Sequence, residues 1–195
     1  MKLNINKIRT LFNVFVVFFL YSNFSVAQQF NLSNQESTLT VYGTSSLHDW
    51  HITTENQNGK IVFKDINASD IEKLDISVKA ESLKSGKKSM DKNTYKALKT
   101  DDYETIDFQL TKLDNIAKKA DGKFTVKATG DLTITGVKKR ISLNFDIDTS
   151  SAKSIILTGE KTIKMTDFNI DPPKALFGTI TTGDEITIKF KSIFK

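Results

Sequence analysis

The chain has 195 residues, of which 38% are hydrophobic and 26% are charged, and its formal net charge is +5. It contains no cysteine, which excludes a disulfide framework, a thiolate metal site and a cysteine nucleophile. Its basic and acidic residues are interspersed rather than collected in a basic stripe with arginine forks, so we expect no binding of nucleic acid.

Residues 1–27 have the pattern of a secretory signal peptide. Lys2, Lys7 and Arg9 precede an apolar run over residues 11–26, and a small-x-small cleavage pattern ends at Ala27. Removal of this leader lowers the net charge from +5 to +2, because the leader carries three basic residues and no acidic one. No twin-arginine pair precedes the apolar run and no cysteine lies at the cleavage site, so we predict a periplasmic or secreted protein, exported by Sec and not a lipoprotein. An uncleaved N-terminal anchor is the alternative.

The rest of the chain divides into a polar segment, residues 28–37, for which we predict a flexible tail, and one domain over residues 38–195. Within the domain apolar and polar residues alternate, which is typical of strands with one buried face. The clearest case is Phe124–Ile134, followed by a turn at Gly136 and by Ile141–Ile147. Similar alternation occurs at Leu39–Val41, His48–Ile52, Ile61–Phe63, Leu74–Ala80, Ile106–Leu110, Ile163–Met165 and Ile186–Phe190. We therefore expect about eight strands, mostly antiparallel.

One segment departs from this alternation. Ser85–Thr100 contains good helix formers and few β-branched residues, which predicts a short α-helix over about residues 86–98. Ser89 is the expected cap of its first turn, and Asp91 lies where the helix dipole favours a negative charge.

Strands with one apolar face must cover that face, either by packing two sheets together or by closing one sheet on itself. The alternation is compatible with both an all-β sandwich and an all-β barrel. A membrane barrel is disfavoured, because an eight-stranded lumen has no room for this many lysines and the charged helix has no place in it.

Several short motifs follow one another along the chain in a defined order and spacing. They are Gly43-Thr-Ser-Ser-Leu-His-Asp-Trp50, Met90-Asp-Lys-Asn-Thr-Tyr-Lys-Ala-Leu98, Gly130-Asp-Leu-Thr-Ile-Thr-Gly-Val137, Met165-Thr-Asp-Phe168, Pro172-Pro173, Phe177-Gly178 and Thr182-Gly-Asp-Glu185.

With this ordered set of motifs, the chain from Thr38 to Lys195 resembles the YceI-like family of bacterial exported proteins. The resemblance implies an extended antiparallel, eight-stranded, lipocalin-like β-barrel with a long apolar cavity for polyisoprenoid or other amphiphilic chains. It also implies a protein that is not an enzyme. The segment Leu47–Ile52 departs from the His-Ser-x-Ile-x-Phe pattern of many members, so no head-group contact is carried over from the family.

The polar residues indicate no catalytic, cofactor or metal site. His48 and His51 are three apart on a predicted strand and should point to opposite faces, which disfavours a shared metal ion. Ser46, His48 and Asp49 are too close along an extended chain to form a linear catalytic relay. Lys138, Lys139 and Arg140 could hold an acidic head group, although a solvated turn is the preferred interpretation.

Periodicity alone favours a packed interior, whereas the family resemblance favours a cavity. We therefore predict non-catalytic binding, transport or sequestration of a long-chain amphiphile, a polyisoprenoid or fatty-acid-like lipid. The alternative is a periplasmic stress-response or interaction scaffold with a packed barrel. We expect no stable membrane insertion, and a homodimer is compatible with the sequence. The candidates for the cavity wall are His48, Trp50, Ile52, Phe63, Ile76, Val78, Phe108, Leu110, Val126, Leu143, Phe145, Phe168, Phe177 and Ile188.

Overall fold

The computed structural model describes residues 28–54, 56–151 and 153–195. The predicted signal peptide lies outside these residues. Within them the chain forms one α-helix, α1 (Lys88–Leu98), and twelve strands. The strands are β1 (Gln28–Asn31), β2 (Thr38–Ser45), β3 (Trp50–Thr54), β4 (Gln57–Asp65), β5 (Asp70–Lys79), β6 (Leu83–Lys84), β7 (Thr105–Ala120), β8 (Lys123–Ile134), β9 (Val137–Ser151), β10 (Ser154–Lys164), β11 (Lys174–Ala175) and β12 (Ile180–Phe194).

The strands form one antiparallel sheet in the order β1-β4-β5-β7-β8-β9-β10-β12-β2-β3-β6, and β11 pairs with β12. The sheet curls into a barrel. β3 and β4 are consecutive in the chain, but β3 pairs with β2 near one end of this strand order, whereas β4 pairs with β1 and β5 at the other end. Leu32 forms a bridge with Phe194, and Asn31 and Lys195 exchange two backbone hydrogen bonds of 2.8 Å. The lipocalin-like barrel predicted from the resemblance is therefore confirmed.

The number of strands differs from the expected eight. Three extended segments are each interrupted, so that β1 and β2, β3 and β4, and β5 and β6 are successive parts of one segment. The short 3-10 turn Ala80–Ser82 makes the interruption between β5 and β6. If each interrupted segment is counted once and the two-residue β11 is left aside, the barrel wall consists of eight antiparallel segments.

The segment expected to be a flexible tail, residues 28–37, contains β1 and belongs to the barrel. β1 pairs with β4, from Gln28 opposite Phe63 to Asn31 opposite Lys60. The ring of Phe30 packs edge-on against Phe63, with 6.2 Å between the ring centroids. Phe30 and Leu32 provide the apolar alternation of a strand within a segment that is otherwise polar.

The helix lies within the range predicted for it, but Ser89 does not cap it. The N-cap residue is Lys87, which makes no side-chain cap hydrogen bond. Ser85, which precedes the helix, stabilises its first turn, because its amide and hydroxyl donate to Asp91 Oδ1 at 2.8 and 2.6 Å. The Tyr95 hydroxyl donates to the carbonyl oxygens of Glu81 and Leu83 at 2.8 and 3.1 Å. These contacts attach α1 to the short connection that follows β5. No helix in the described part of the chain combines the length and apolar character needed to cross a membrane.

The apolar residues of the interior form two clusters, one in each half of the barrel. The first cluster, which we call the closed half, includes Ile61, Phe63, Val126, Ile155 and Phe194, all 0–1% exposed. The second cluster, in what we call the open half, lies on the same side of the barrel as α1 and the turn Thr166–Phe168. Its buried members are Leu132, Ile134, Ile163, Met165, Phe168 and Ile170.

Candidate functional site

The open half contains a cavity of about 390 Å³. Apolar side chains from β2, β3, β5, β7, β8, β9, β10 and β12 form most of its wall. The helix α1 covers one side, where Met90, Thr94, Ala97 and Leu98 face the cavity from one stripe of the helix. Leu143, Phe145 and Leu157 belong both to the closed-half cluster and to the cavity wall, so the packed core forms the boundary of the empty space.

Most of the residues that the sequence analysis selected for a cavity wall lie on this cavity. They reach it from different strands, because inward-facing positions of a curled sheet converge on one interior. The residues on the wall are His48, Trp50, Ile52, Ile76, Val78, Phe108, Leu143, Phe145, Phe168 and Ile188.

The other four selected residues lie away from the cavity. Phe63 and Val126 face inward but are packed in the closed half, with 1% and 0% exposure. Leu110 is partly buried and packs against the same closed-half cluster. Phe177 is fully exposed on the turn after β11 and has a left-handed backbone, with φ of 54°. Alternation identifies the inward face of a strand but not the position along the barrel axis, which explains the first three differences.

The indole of Trp50 lies flat on the cavity wall because the residue opposite it is a glycine. Trp50 pairs with Gly43 across β3 and β2, and a Cβ atom at Gly43 would come within 2.1 Å of the indole Cζ2 atom. The indole Nε1 donates to the carbonyl oxygen of Thr44 at 2.9 Å, which satisfies its polar atom. Trp50 was among the residues predicted for a cavity wall, and in the structure it lies on that wall.

Two further aromatic rings of the wall lie over glycines in the same way. A Cβ atom at Gly130 would come within 2.4 Å of the Phe108 ring, and one at Gly159 within 2.7 Å of the Phe190 ring. Each missing side chain lets a ring sit close to the backbone of the neighbouring strand rather than project toward the barrel axis. The glycines thereby help to keep the cavity empty.

Hydrogen bonds at the open half join nearby turns to the first residues of β12 and to the β8–β9 hairpin. The amide of Ser46 donates to the Thr181 carbonyl at 2.9 Å, and the Thr181 amide donates to Ser46 Oγ at 3.2 Å. The Asp184 carboxylate accepts from the hydroxyl and the amide of Thr166 at 2.7 and 2.9 Å. These two bonds, the hydroxyl contributing more, hold the pKa of Asp184 below its ordinary value. The Thr135 hydroxyl donates to the Phe168 carbonyl at 2.6 Å and joins the turn Thr166–Phe168 to the β8–β9 hairpin.

Comparison with known proteins places this barrel in a family. The family described as the YceI-like domain matches residues 30–194. The chain belongs to the YceI-like family. No curated protein matches the sequence.

Solved structures resemble the YceI-like barrel over most of its length. BcnA of Burkholderia cenocepacia is 18% identical, with a TM-score of 0.68 over 83% of this chain and 98% of that one. A polyisoprenoid binding domain from Saccharophagus degradans, implicated in plant cell wall breakdown, is 12% identical, with a TM-score of 0.67 over 85% and 97%. The YCEI protein of Campylobacter jejuni is 22% identical, with a TM-score of 0.56 over 72% and 81%. At these identities the likeness shows a shared fold.

The two histidines of this YceI-like barrel lie in different surroundings. His48 lies at the cavity wall, in the loop before β3, and its Nδ1 is 2.9 Å from the Asp49 carbonyl oxygen. His51 is exposed beside the Tyr42 ring, with 6.0 Å between the centroids. Among the described residues, no group of three or more histidine, aspartate and glutamate side chains is placed to hold a metal ion.

The charged residues on the cavity wall of the YceI-like barrel are all lysines. Lys87 and Lys174 are exposed, whereas Lys161 is half-buried within β10, and no described aspartate or glutamate joins them on the wall. Lys161 was not among the residues predicted from the sequence to line a cavity. The signal was present, since the alternation of Ile163 and Met165 extends back through Lys161 and Gly159 to Leu157. Lys138, Lys139 and Arg140, the candidates for a head-group contact at the turn after β8, do not line the cavity. Arg140 pairs with Asp131 at 2.8 and 3.0 Å, and both lysines are exposed.

Proposed function

We propose that this YceI-like protein binds a long-chain amphiphile, a polyisoprenoid or fatty-acid-like lipid, in the open half of its barrel. The observation that carries the proposal is the apolar cavity of about 390 Å³, bounded by the packed core and covered by α1. The polyisoprenoid binding domain of Saccharophagus degradans, which has the same fold, supports this class of ligand.

The size of the cavity sets the length of chain that it can hold. A volume of 390 Å³ accommodates at least about 13 methylene groups, if each takes about 30 Å³, the volume of one water molecule in the liquid. Each methylene group removed from water contributes about 0.8 kcal/mol, so a chain of this length gains roughly 10 kcal/mol before ordering costs. An apolar chain can therefore bind with few polar contacts.

The proposed role is carriage or sequestration without chemistry. The wall that a chain would touch consists mainly of hydrocarbon, and the side chains of Ser46, Thr166 and Asp184 form hydrogen bonds between neighbouring segments of the chain. We propose that this role is performed in the periplasm or outside the cell, a proposal supported by the signal-peptide pattern of residues 1–27. A lipid held there would be shielded from water during transfer between surfaces.

The test begins with mass spectrometry of organic extracts of the purified mature protein. A co-purifying chain lipid supports the proposal. Calorimetric titration with saturated fatty acids from decanoate to octadecanoate should then show affinity rising about fourfold per methylene and levelling near the length that fills the cavity. Empty extracts together with no binding of any chain would instead favour the interaction scaffold.

A pair of matched variants locates the binding. Phe145→Trp enlarges a side chain on the cavity wall and should weaken tetradecanoate binding at least about tenfold, by the loss of two or more buried methylene contacts. Phe177→Trp makes the same exchange on an exposed turn and should leave affinity unchanged. Circular dichroism checks that both variants remain folded. Equal binding by the two variants would contradict the assignment of the cavity as the site.

A further inference from the structure

Lys161 faces the interior of the barrel from β10. The neighbouring inward-facing residues of this strand are apolar or glycine. Leu157 and Ile163 are 2% and 8% exposed and line the cavity, and Lys161 lies between them on the same face of β10. It pairs with Ile188 of β12, which also lines the cavity. A lysine at such a position breaks the local pattern, and violations of this kind are expected at functional sites.

The amine of Lys161 makes no ion pair or hydrogen bond with any residue that the structure describes. Some lysines of the outer surface do form ion pairs, among them Lys189 with Glu160 at 3.3 Å and Lys119 with Asp146 at 2.8 Å. The cavity wall offers Lys161 no described carboxylate. A partly buried cation without a partner is unfavourable, so an anion that entered the cavity would be stabilised there.

The backbone pairing of the barrel wall is interrupted next to Lys161. Backbone pairing between β9 and β10 ends at Phe145 opposite Gly159, although β9 begins at Val137 and β10 continues to Lys164. Lys161 is the next inward-facing residue beyond this last pair. Its long aliphatic stem can lie along the apolar wall while the amine reaches a more polar position, as lysines at apolar boundaries do.

We propose that the ligand is an anionic amphiphile, whose head group pairs with Lys161 while its chain fills the open half. This inference rests on the proposed function and narrows it, because neutral chain lipids such as polyisoprenols would leave the amine without a partner. The ammonium of lysine acts as a point charge and accepts carboxylate or phosphate head groups alike. An anionic head on a chain is therefore the chemistry that the site selects.

The experiment compares three probes of equal chain length, tetradecanoate, tetradecyl phosphate and tetradecanol, by calorimetric titration at low ionic strength. Lys161→Met keeps the length of the side chain and removes its charge. It should weaken binding of both anionic probes about tenfold or more and leave tetradecanol binding within twofold. Lys164→Met is the matched control, since Lys164 is exposed on the opposite face of β10 and carries the same charge.

The outcomes separate this inference from the proposed function. Loss of only one anionic probe in Lys161→Met identifies the head group and supports the inference. If Lys161→Met binds both anions as the parent protein does, or if Lys164→Met weakens them equally, the inference is overturned while chain binding stands. If the parent protein binds none of the three probes, the proposed function fails as well. An unchanged melting temperature of Lys161→Met shows that a loss of binding is not a loss of folding.

Discussion

Replacing Gly43 by alanine should push the indole of Trp50 off the cavity wall. The added Cβ atom would lie 2.1 Å from Cζ2 and 2.6 Å from Cε2 and Cη2 of the ring, whereas ordinary contact begins at 3.4 Å. The ring must therefore move by about 1.3 Å, the difference between 3.4 and 2.1 Å. A movement of that size away from Gly43 breaks the 2.9 Å hydrogen bond from the indole to the Thr44 carbonyl.

The cost follows from these contacts. Overpacking of this kind costs about 1–3 kcal/mol, and the lost hydrogen bond costs about 1 kcal/mol more. Alanine is better than glycine in a strand by about 0.5–1 kcal/mol, which offsets part of the loss. We expect Gly43→Ala to lower the free energy of unfolding by about 1–3 kcal/mol.

Trp50 is the sole tryptophan of the chain, so its emission reports directly on this site. Urea unfolding followed by circular dichroism gives the free energy, and the emission maximum of the folded state shows whether the indole has moved. The matched background is Trp50→Ala, in which the clash has no ring to act on. There Gly43→Ala should be neutral or slightly stabilising. An equal loss in both backgrounds would refute the reasoning, because the cost would then not arise from the contact with the ring.

Two further predictions concern stability. Phe124→Ala removes a 5% exposed ring from the closed half and should cost about 3–5 kcal/mol in chemical denaturation, and a cost below about 1 kcal/mol would contradict the tight packing of that half. Asp184 stabilises the fold through its ionised form, because Thr166 donates to its carboxylate and holds its pKa below the ordinary value of 3.8. This contribution is present above about pH 4 and is lost as the pH falls through the lowered pKa, so the melting temperature of Asp184→Asn should vary less with pH in acid than that of the parent protein. Equal acid dependence of the two proteins would exclude Asp184 as a source of it.

The strands and the helix could be predicted because their signals are local. The alternation of Phe124–Ile134 and of Ile141–Ile147 corresponds to β8 and β9, which pair along their length from Lys123 opposite Asp148 to Ile134 opposite Val137. The helix lies within the range in which β-branched residues are scarce. Closure of the sheet required the family resemblance, because alternation is the same in a sandwich and in a barrel.

The remaining features depend on contacts between distant parts of the chain. β1 was missed because its partner strand supplies Phe63, the residue that makes Phe30 a core residue. The glycines beneath the aromatic rings of the wall can be recognised only once the cross-strand register is known. The division of the interior into a packed and an empty part likewise has no signature in any single strand, since most inward-facing residues of both parts are apolar.

That division has a consequence for how such a barrel can diverge. The closed half, where side chains fill the interior, contributes most of the buried apolar packing, whereas the open half contains the cavity. Substitutions of wall residues that are not closely packed, such as Lys161, alter the shape and charge of the cavity at less cost to folding than substitutions in the closed half. A barrel of this design can therefore acquire cavities of different shape and charge while the packing of its closed half is kept.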